Sequence, residues 1–217
     1  MATRPVFVPL PGMHPYVKAT FVEFEWHPGF SVTQARKSIV ALHIAASLCG
    51  LSPLLEISSK SPDAIGVQLS AFNLVLHYAD HAISVEAAFQ GSKVFEHGGP
   101  YQDLYKVASR DAKNDPRITQ SGKLIGFRFF QLDVPTQPVT AFYDWLYLTA
   151  LLQHQELMFE ITGYRGFTDI AFNPNRSLNC QARSAALFVA LSQTQDVARC
   201  VSDIDSFLAT LKNGQPC

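Results

Sequence analysis

The stretch Val85-Glu86-Ala87-Ala88-Phe89-Gln90-Gly91-Ser92-Lys93 decides how this chain is read. Glu86, Gln90 and Lys93 stand at i, i+4 and i+7. On a helix they share one face, with about 10 Å along the axis between the first and the last. The spacing predicts a helix from about Val85 to Glu96, stopped by Gly98-Gly99-Pro100. Ala87, Ala88 and Gly91 keep the surrounding surface narrow, which lets a ligand come close. The alternative is an ordinary solvated polar face, and spacing alone fits both.

Upstream, prolines at 5, 9, 11 and 15 read as an extended arm over residues 1–16, laid on the surface of a domain spanning 17–212. Residues 17–26 read as a strand. Ser31 and Gln34 fit a capping box, Ile39, Leu42, Ala45, Ala46 and Cys49 repeat at helical spacing, and Gly50 is a stop. Residues 54–58 and 67–78 are β-prone, with a turn at Ala79-Asp80-His81. Downstream, a helix over 103–113 breaks at Asn114-Asp115-Pro116. Further helices are expected at 140–153, at 155–162 ending at Gly163, from an Asn179 cap to Ser192, and over an amphipathic 195–212. The balance is one helix-dominated α+β domain with a small β element.

With 217 residues, 47% of them hydrophobic and 16 of them Phe, the chain can build a full core. Its net charge of −1 excludes a broad grip on duplex phosphates, so any nucleic-acid contact should be local. Cys49, Cys180, Cys200 and Cys217 form no CxxC pair and no disulfide framework is expected; Cys49 and Cys200 read as packing residues. Of the seven His, His77 and His81 have HxxxH spacing, but across the expected turn at Ala79-Asp80-His81 rather than on a helix, and no Walker, GxSxG or GxGxxG signature opens a helix, so neither a metal nor a cofactor is expected. No leader-like or membrane-length apolar run is present, and the cytoplasm is the expected location.

Three further segments carry candidate binding groups. Ser70 and Asn73, around Phe72, are polar within an apolar run; turn satisfaction is the alternative. Asp144 sits between Tyr143 and Trp145, which suits stacking on a base, although Trp145 also fits a core position. The segment 167–184 gathers Asp169, Asn173, Asn179, Arg176 and Arg183 before a helix. A helix N-terminus with free N–H groups suits a diphosphate, and ordinary cap chemistry is the alternative.

Taken together, Ser70-Ala71-Phe72 and the Val-Glu-x-x-Phe-Gln-x-x-Lys string at 85–93 resemble the NADAR family. Phe89–Glu96, Ala141–Tyr147 and Phe167–Ile170 with Phe172-Asn173-Pro174 resemble, more narrowly, its branch that accompanies DarT-type toxins. The likeness covers roughly residues 5–192. Leu146-Tyr147 departs from the Val-Lys pair of many members, and the 173–183 segment replaces a Trp-Gly loop. The resemblance implies a NADAR-like α+β fold and an antitoxin N-glycosidase. Its partner toxin places ADP-ribose on guanine of DNA, and the antitoxin hydrolyses the bond on a single-stranded or flipped-out base. Lys93 is the implied nucleophile, holding the sugar as an imine, with Glu86 orienting it and handling protons. The implied binding set is Ser70, Phe72, Asn73, Gln90, Asp144, Trp145, Asp169, Asn173, Asn179 and Arg183. Two other readings stay open: an N-glycosidase acting on a small nucleotide, and a non-catalytic module that binds ADP-ribose or the toxin. The last gains if Lys93 merely pairs with Glu96.

Overall fold

A computed structural model describes residues 1–29, 31–175 and 177–214; Arg176 and Cys217 lie outside them. The chain runs β1 (Ala2–Pro9), β2 (Val17–Phe24), α1 (Val32–Leu48), β3 (Leu54–Glu56), α2 (Ala64–Gln68), β4 (Val75–Tyr78) and β5 (His81–Ser84). It continues with α3 (Val85–Gly91), β6 (Lys93–Phe95), a 3-10 turn (Gln102–Lys106), α4 (Ser109–Asn114), α5 (Arg117–Gln120), β7 (Leu124–Phe129) and β8 (Leu132–Val134). The last elements are α6 (Ala141–Leu151), α7 (Gln155–Ile161), β9 (Gly166–Thr168), α8 (Gln181–Ser192), α9 (Val197–Ser202) and α10 (Ile204–Asn213).

The fold is α+β, as expected, but its β part is larger than the sequence suggests. A four-stranded sheet has the order β2-β1-β9-β3, β4 and β5 form a hairpin, and β6-β7-β8 form a third sheet. On one face of the first sheet, Val6, Val22 and Phe24 meet Ile39, Leu42 and Ala46 of α1. On the other, Phe7 and Phe167 join a core with α6 and α8. The apolar residues of α1 therefore recur at helical spacing because one face must cover the sheet. Ser31 caps that helix by accepting from Gln34 N, and Gly50 follows it at φ +78°, as its stop signal requires.

Several expectations are corrected. Residues 2–9 are not a surface arm but an inner strand, paired with β2 along its length and with β9 at Phe7 alone. Pro5 and Pro9 share the parity of Phe7 and fall where the second ladder has stopped, so their missing N–H groups cost little. The β-prone run 67–78 is strand only from Val75. Before it, Leu69, Ser70, Asn73 and Leu74 close successive turns, and Gly66 lies so near the Glu56 carbonyl that a Cβ would sit 2.0 Å from its oxygen. Cys49 is exposed, while Cys200 is buried and disulfide-bonded rather than a free packing thiol. The 195–212 pattern divides at Asp203, whose carboxylate caps α10 through Ser206 N at 3.0 Å.

The helix at 85 is also shorter than expected. It ends at Gly91, and Lys93 opens β6, paired with Phe127 of β7. Ser92 ends it: its Oγ donates to Ala88 O at 2.7 Å and meets Tyr105 Oη at 2.9 Å, while its carbonyl accepts from Arg128 N at 2.7 Å. Gly91 does permit a close approach, but by protein: a Cβ there would lie 2.5 Å from Tyr105 Cε1.

Candidate active site

Although Lys93 leaves the helix, the three expected side chains meet. Ser84 caps α3 by accepting from Ala87 N, and Glu86 falls in the first turn, where a carboxylate suits the positive helix end. Gln90, one turn on, donates from Nε2 to Glu86 Oε1 at 2.9 Å and accepts at Oε1 from Lys93 Nζ at 2.7 Å. One amide thus links carboxylate to amine. Glu86 and Gln90 are buried and Lys93 is half-buried, its Nζ 4.7 Å from the centre of the Phe89 ring. Burial pushes the Lys93 ammonium down to about 8; Glu86 pulls it back up and Lys113 pushes it down further. At pH 7.5 about a quarter of such an amine is neutral, against about one part in a thousand for an ordinary lysine.

Lys113 of α4 was not foreseen. Its Nζ lies 3.7 Å from Glu86 Oε1 and 5.2 Å from the centre of the Phe72 ring. An exposed lysine on a short helix carries no signal in sequence; only the tertiary contact reveals it. Tyr143, on α6, was noted only as a stacking partner. Burial first, and the nearby Glu86 second, hold its hydroxyl well above the usual value, so it stays neutral.

Ser70-Ala71-Phe72 links this centre to the later loop. Glu86 N donates to Ala71 O at 2.9 Å, and Ala71 N donates to Gln181 Oε1 at 2.8 Å. Gln181 also accepts from Ser70 Oγ and donates to Ile57 O at 2.7 Å and to Asp169 Oδ2 at 3.0 Å. It uses every hydrogen-bonding position it has, and it too was missed. Phe72 is half-buried, with its ring facing the Lys113 ammonium.

The remaining expected residues take other places. Asn73 is exposed and donates to Val67 O at 2.8 Å, closing its own turn. Trp145 belongs to the core: Nε1 donates to Val201 O at 2.9 Å and the ring stacks near Phe142. Asp144 is buried and accepts from Thr140 Oγ1 at 2.8 Å, Ser184 Oγ at 2.6 Å and Arg183 Nη1 at 2.5 Å. Arg183 is therefore occupied by Asp144. Asn173 accepts from Asn175 N at 3.0 Å in a turn of its own. The cap of α8 is Cys180 rather than Asn179, with no side-chain hydrogen bond at the cap. Asn179 Oδ1 is buried with no hydrogen-bond partner among the described residues.

Asp169 accepts from Ala171 N as well as Gln181, and its carboxyl is enclosed although part of the residue reaches the surface. Burial first and the neighbouring Glu56 second raise it to about 7. Glu56 is itself raised by burial; it accepts from Thr168 Oγ1 at 2.6 Å, Ser58 Oγ at 2.8 Å and Ile170 N at 2.9 Å. A raised carboxyl stabilises the fold while protonated. The Asp169 contribution is complete below about 3.8 and is lost as pH rises through about 7. Glu56→Gln removes the repulsion, since Thr168 can turn its hydroxyl toward His43 Nε2, 2.9 Å away. The melting temperature of the wild type is expected to fall between about pH 4 and 7.5, and that of the variant to fall less; parallel curves would refute the coupling.

Two open depressions lie elsewhere, one lined by Glu25, His27, Arg36 and Val40, the other by Leu152, Phe159, Phe188 and Val197. Neither holds a hydrogen-bonded carboxylate, amide and amine, so the Glu86–Gln90–Lys93 set is the candidate site. The chain belongs to the DarT1-associated NADAR antitoxin family, whose model matches residues 2–216, essentially its whole length. It is an antitoxin of the NADAR type. No curated protein matches it. No helix among the described residues is long and apolar enough to cross a membrane.

Proposed function

We propose that this antitoxin is an N-glycosidase that removes ADP-ribose from guanine in DNA and so reverses the modification made by a DarT-type toxin. The observation that carries this reading is the state of Lys93. Its amine is desolvated and held by a neutral amide, and among the described residues no ion pair includes it, with Glu96 or any other acid. A lysine kept only for a salt bridge would have the opposite surroundings.

The neutral Lys93 amine attacks the ribose carbon bonded to the base. The carbon–nitrogen bond to guanine breaks, and its electron pair leaves with the base nitrogen. Glu86 takes a proton from the attacking amine and delivers it to that nitrogen. The Lys93 nitrogen then forms a double bond to the carbon as the ring carbon–oxygen bond opens, and the remaining proton on that nitrogen passes to the ring oxygen. Water adds to the imine carbon, the amine departs, and ADP-ribose is released. Among the described residues Gln90 and Lys113 reach Glu86 only at Oε1, which leaves Oε2 for these transfers.

The substrate is tested by comparing an ADP-ribosylated guanine in an oligonucleotide with the same adduct on a free nucleotide. The oligonucleotide is expected to turn over faster, and at least as fast single-stranded as paired, because pairing adds an unstacking cost. A net charge of −1 admits one or two phosphate contacts, so the rate should fall less than about tenfold between about 50 and 200 mM salt. Faster turnover of the free nucleotide would replace the DNA reading with a metabolic one.

A further inference from the structure

Glu86 has two cations near it, and the nearer one is unexpected. The ammonium that reaches its carboxylate is that of Lys113, at 3.7 Å from Oε1, and no ion pair joins Lys93 to it. Gln90 stands between Lys93 and Glu86. We propose that Lys113 is a positioning residue that serves as the counterion of Glu86 in place of Lys93, and so leaves the Lys93 amine free to act as a nucleophile. The inference rests on the imine reading for its catalytic meaning, but the electrostatic arrangement stands by itself.

The other groups around Lys93 support it. From α3 come Glu86, Gln90 and the Phe89 ring. From β7, Phe127 lies opposite in the ladder, and the next residue, Arg128, is spent on Asp133 at 2.6 Å. Glu96, further along the chain, accepts from Lys123 N. From α6, Tyr143 remains neutral. Beyond them, Asp169 feels the charge of Lys113. Among the described residues Glu86 is thus the one carboxylate placed to hold a Lys93 ammonium, and Lys113 competes for it. Removing Lys113 deletes a like charge and returns Glu86 to Lys93; both changes favour the protonated amine. Lys113 is 54% exposed by side chain, so its replacement leaves the core intact.

The test needs no substrate. Acetic anhydride at trace concentration labels neutral amines, and the extent of labelling at Lys93 is read by peptide mass spectrometry across a pH series. Lys113→Met is expected to move the Lys93 labelling midpoint up by about one pH unit, and Lys113→Arg to leave it near the wild-type position. In the Met variant kcat/KM should fall near neutral pH and recover at high pH, whereas a folding defect lowers it at every pH. An unmoved midpoint in Lys113→Met, or the same upward shift in Lys113→Arg, overturns the proposal. A failure of the imine reading shows elsewhere, as turnover that yields no covalent adduct, and leaves these midpoints as expected.

Discussion

Lys93→Ala is expected to reduce cleavage of ADP-ribosylated guanine by at least about 10³-fold, since in the proposed covalent route it removes the nucleophile rather than a binding contact. The loss should fall on kcat with little change in KM. Stability should not suffer. Burial opposes the charged form of Lys93, and the substitution forfeits only one hydrogen bond to Gln90 and the contact with the Phe89 ring. Lys93→Arg sharpens the expectation. Arginine keeps the positive charge but does not deprotonate in proteins, so it is expected to be as inactive as alanine. If arginine retained substantial activity, Lys93 would be acting through its charge alone, and direct hydrolysis with Glu86 would replace the covalent route. Rates on a modified oligonucleotide, with circular dichroism to verify folding, decide between the two.

Arg183→Ala carries the second large effect, and it is an effect on the fold. Arg183 pairs with Asp144, whose side chain is 1% exposed while that of Arg183 is 25% exposed. Breaking a buried pair from one side strands the other charge, a cost of about 3–5 kcal/mol in general. Thr140 and Ser184 still donate to Asp144, which places the expected loss at about 3 kcal/mol, near the lower end of that range. For a chain of this size that lowers the melting temperature by about 6–12 °C. The double variant with Asp144→Asn should recover much of the loss, because the stranded charge is gone. A melting temperature unchanged in Arg183→Ala, with weakened binding of ADP-ribose, would instead give Arg183 the diphosphate role that its position before a helix suggested.

These cases mark what sequence carries and what it does not. Glu86, Gln90 and Lys93 are legible together because local spacing brings them near each other, even though Lys93 turned out to begin a strand. The helix that spacing predicted failed at Ser92, whose hydroxyl bonds back to Ala88 and across to Tyr105, a partner that arrives only with the fold. The first strand was hidden by Pro5 and Pro9, which read as breakers until the ladder beside them is known to end. Lys113 and Gln181 were hidden because their roles are contacts with distant segments: Lys113 to Glu86, and Gln181 to Ala71, Ile57 and Asp169. Asp144 and Arg183 were both seen and both read as ligand groups. Polar residues 39 positions apart give no sign in sequence that they will neutralise one another. The α+β class survived the shifted element boundaries because it depends on the number and type of elements rather than on their ends.

The central claim is the covalent use of Lys93, and borohydride trapping tests it most directly. The protein is mixed with an oligonucleotide carrying ADP-ribosylated guanine and reduced during turnover, so that any imine becomes a stable secondary amine. Peptide mass spectrometry is expected to find the ADP-ribose-derived mass on the peptide containing Lys93, and on no peptide of Lys93→Ala. Normal turnover of the wild type with no adduct on any peptide would contradict the account.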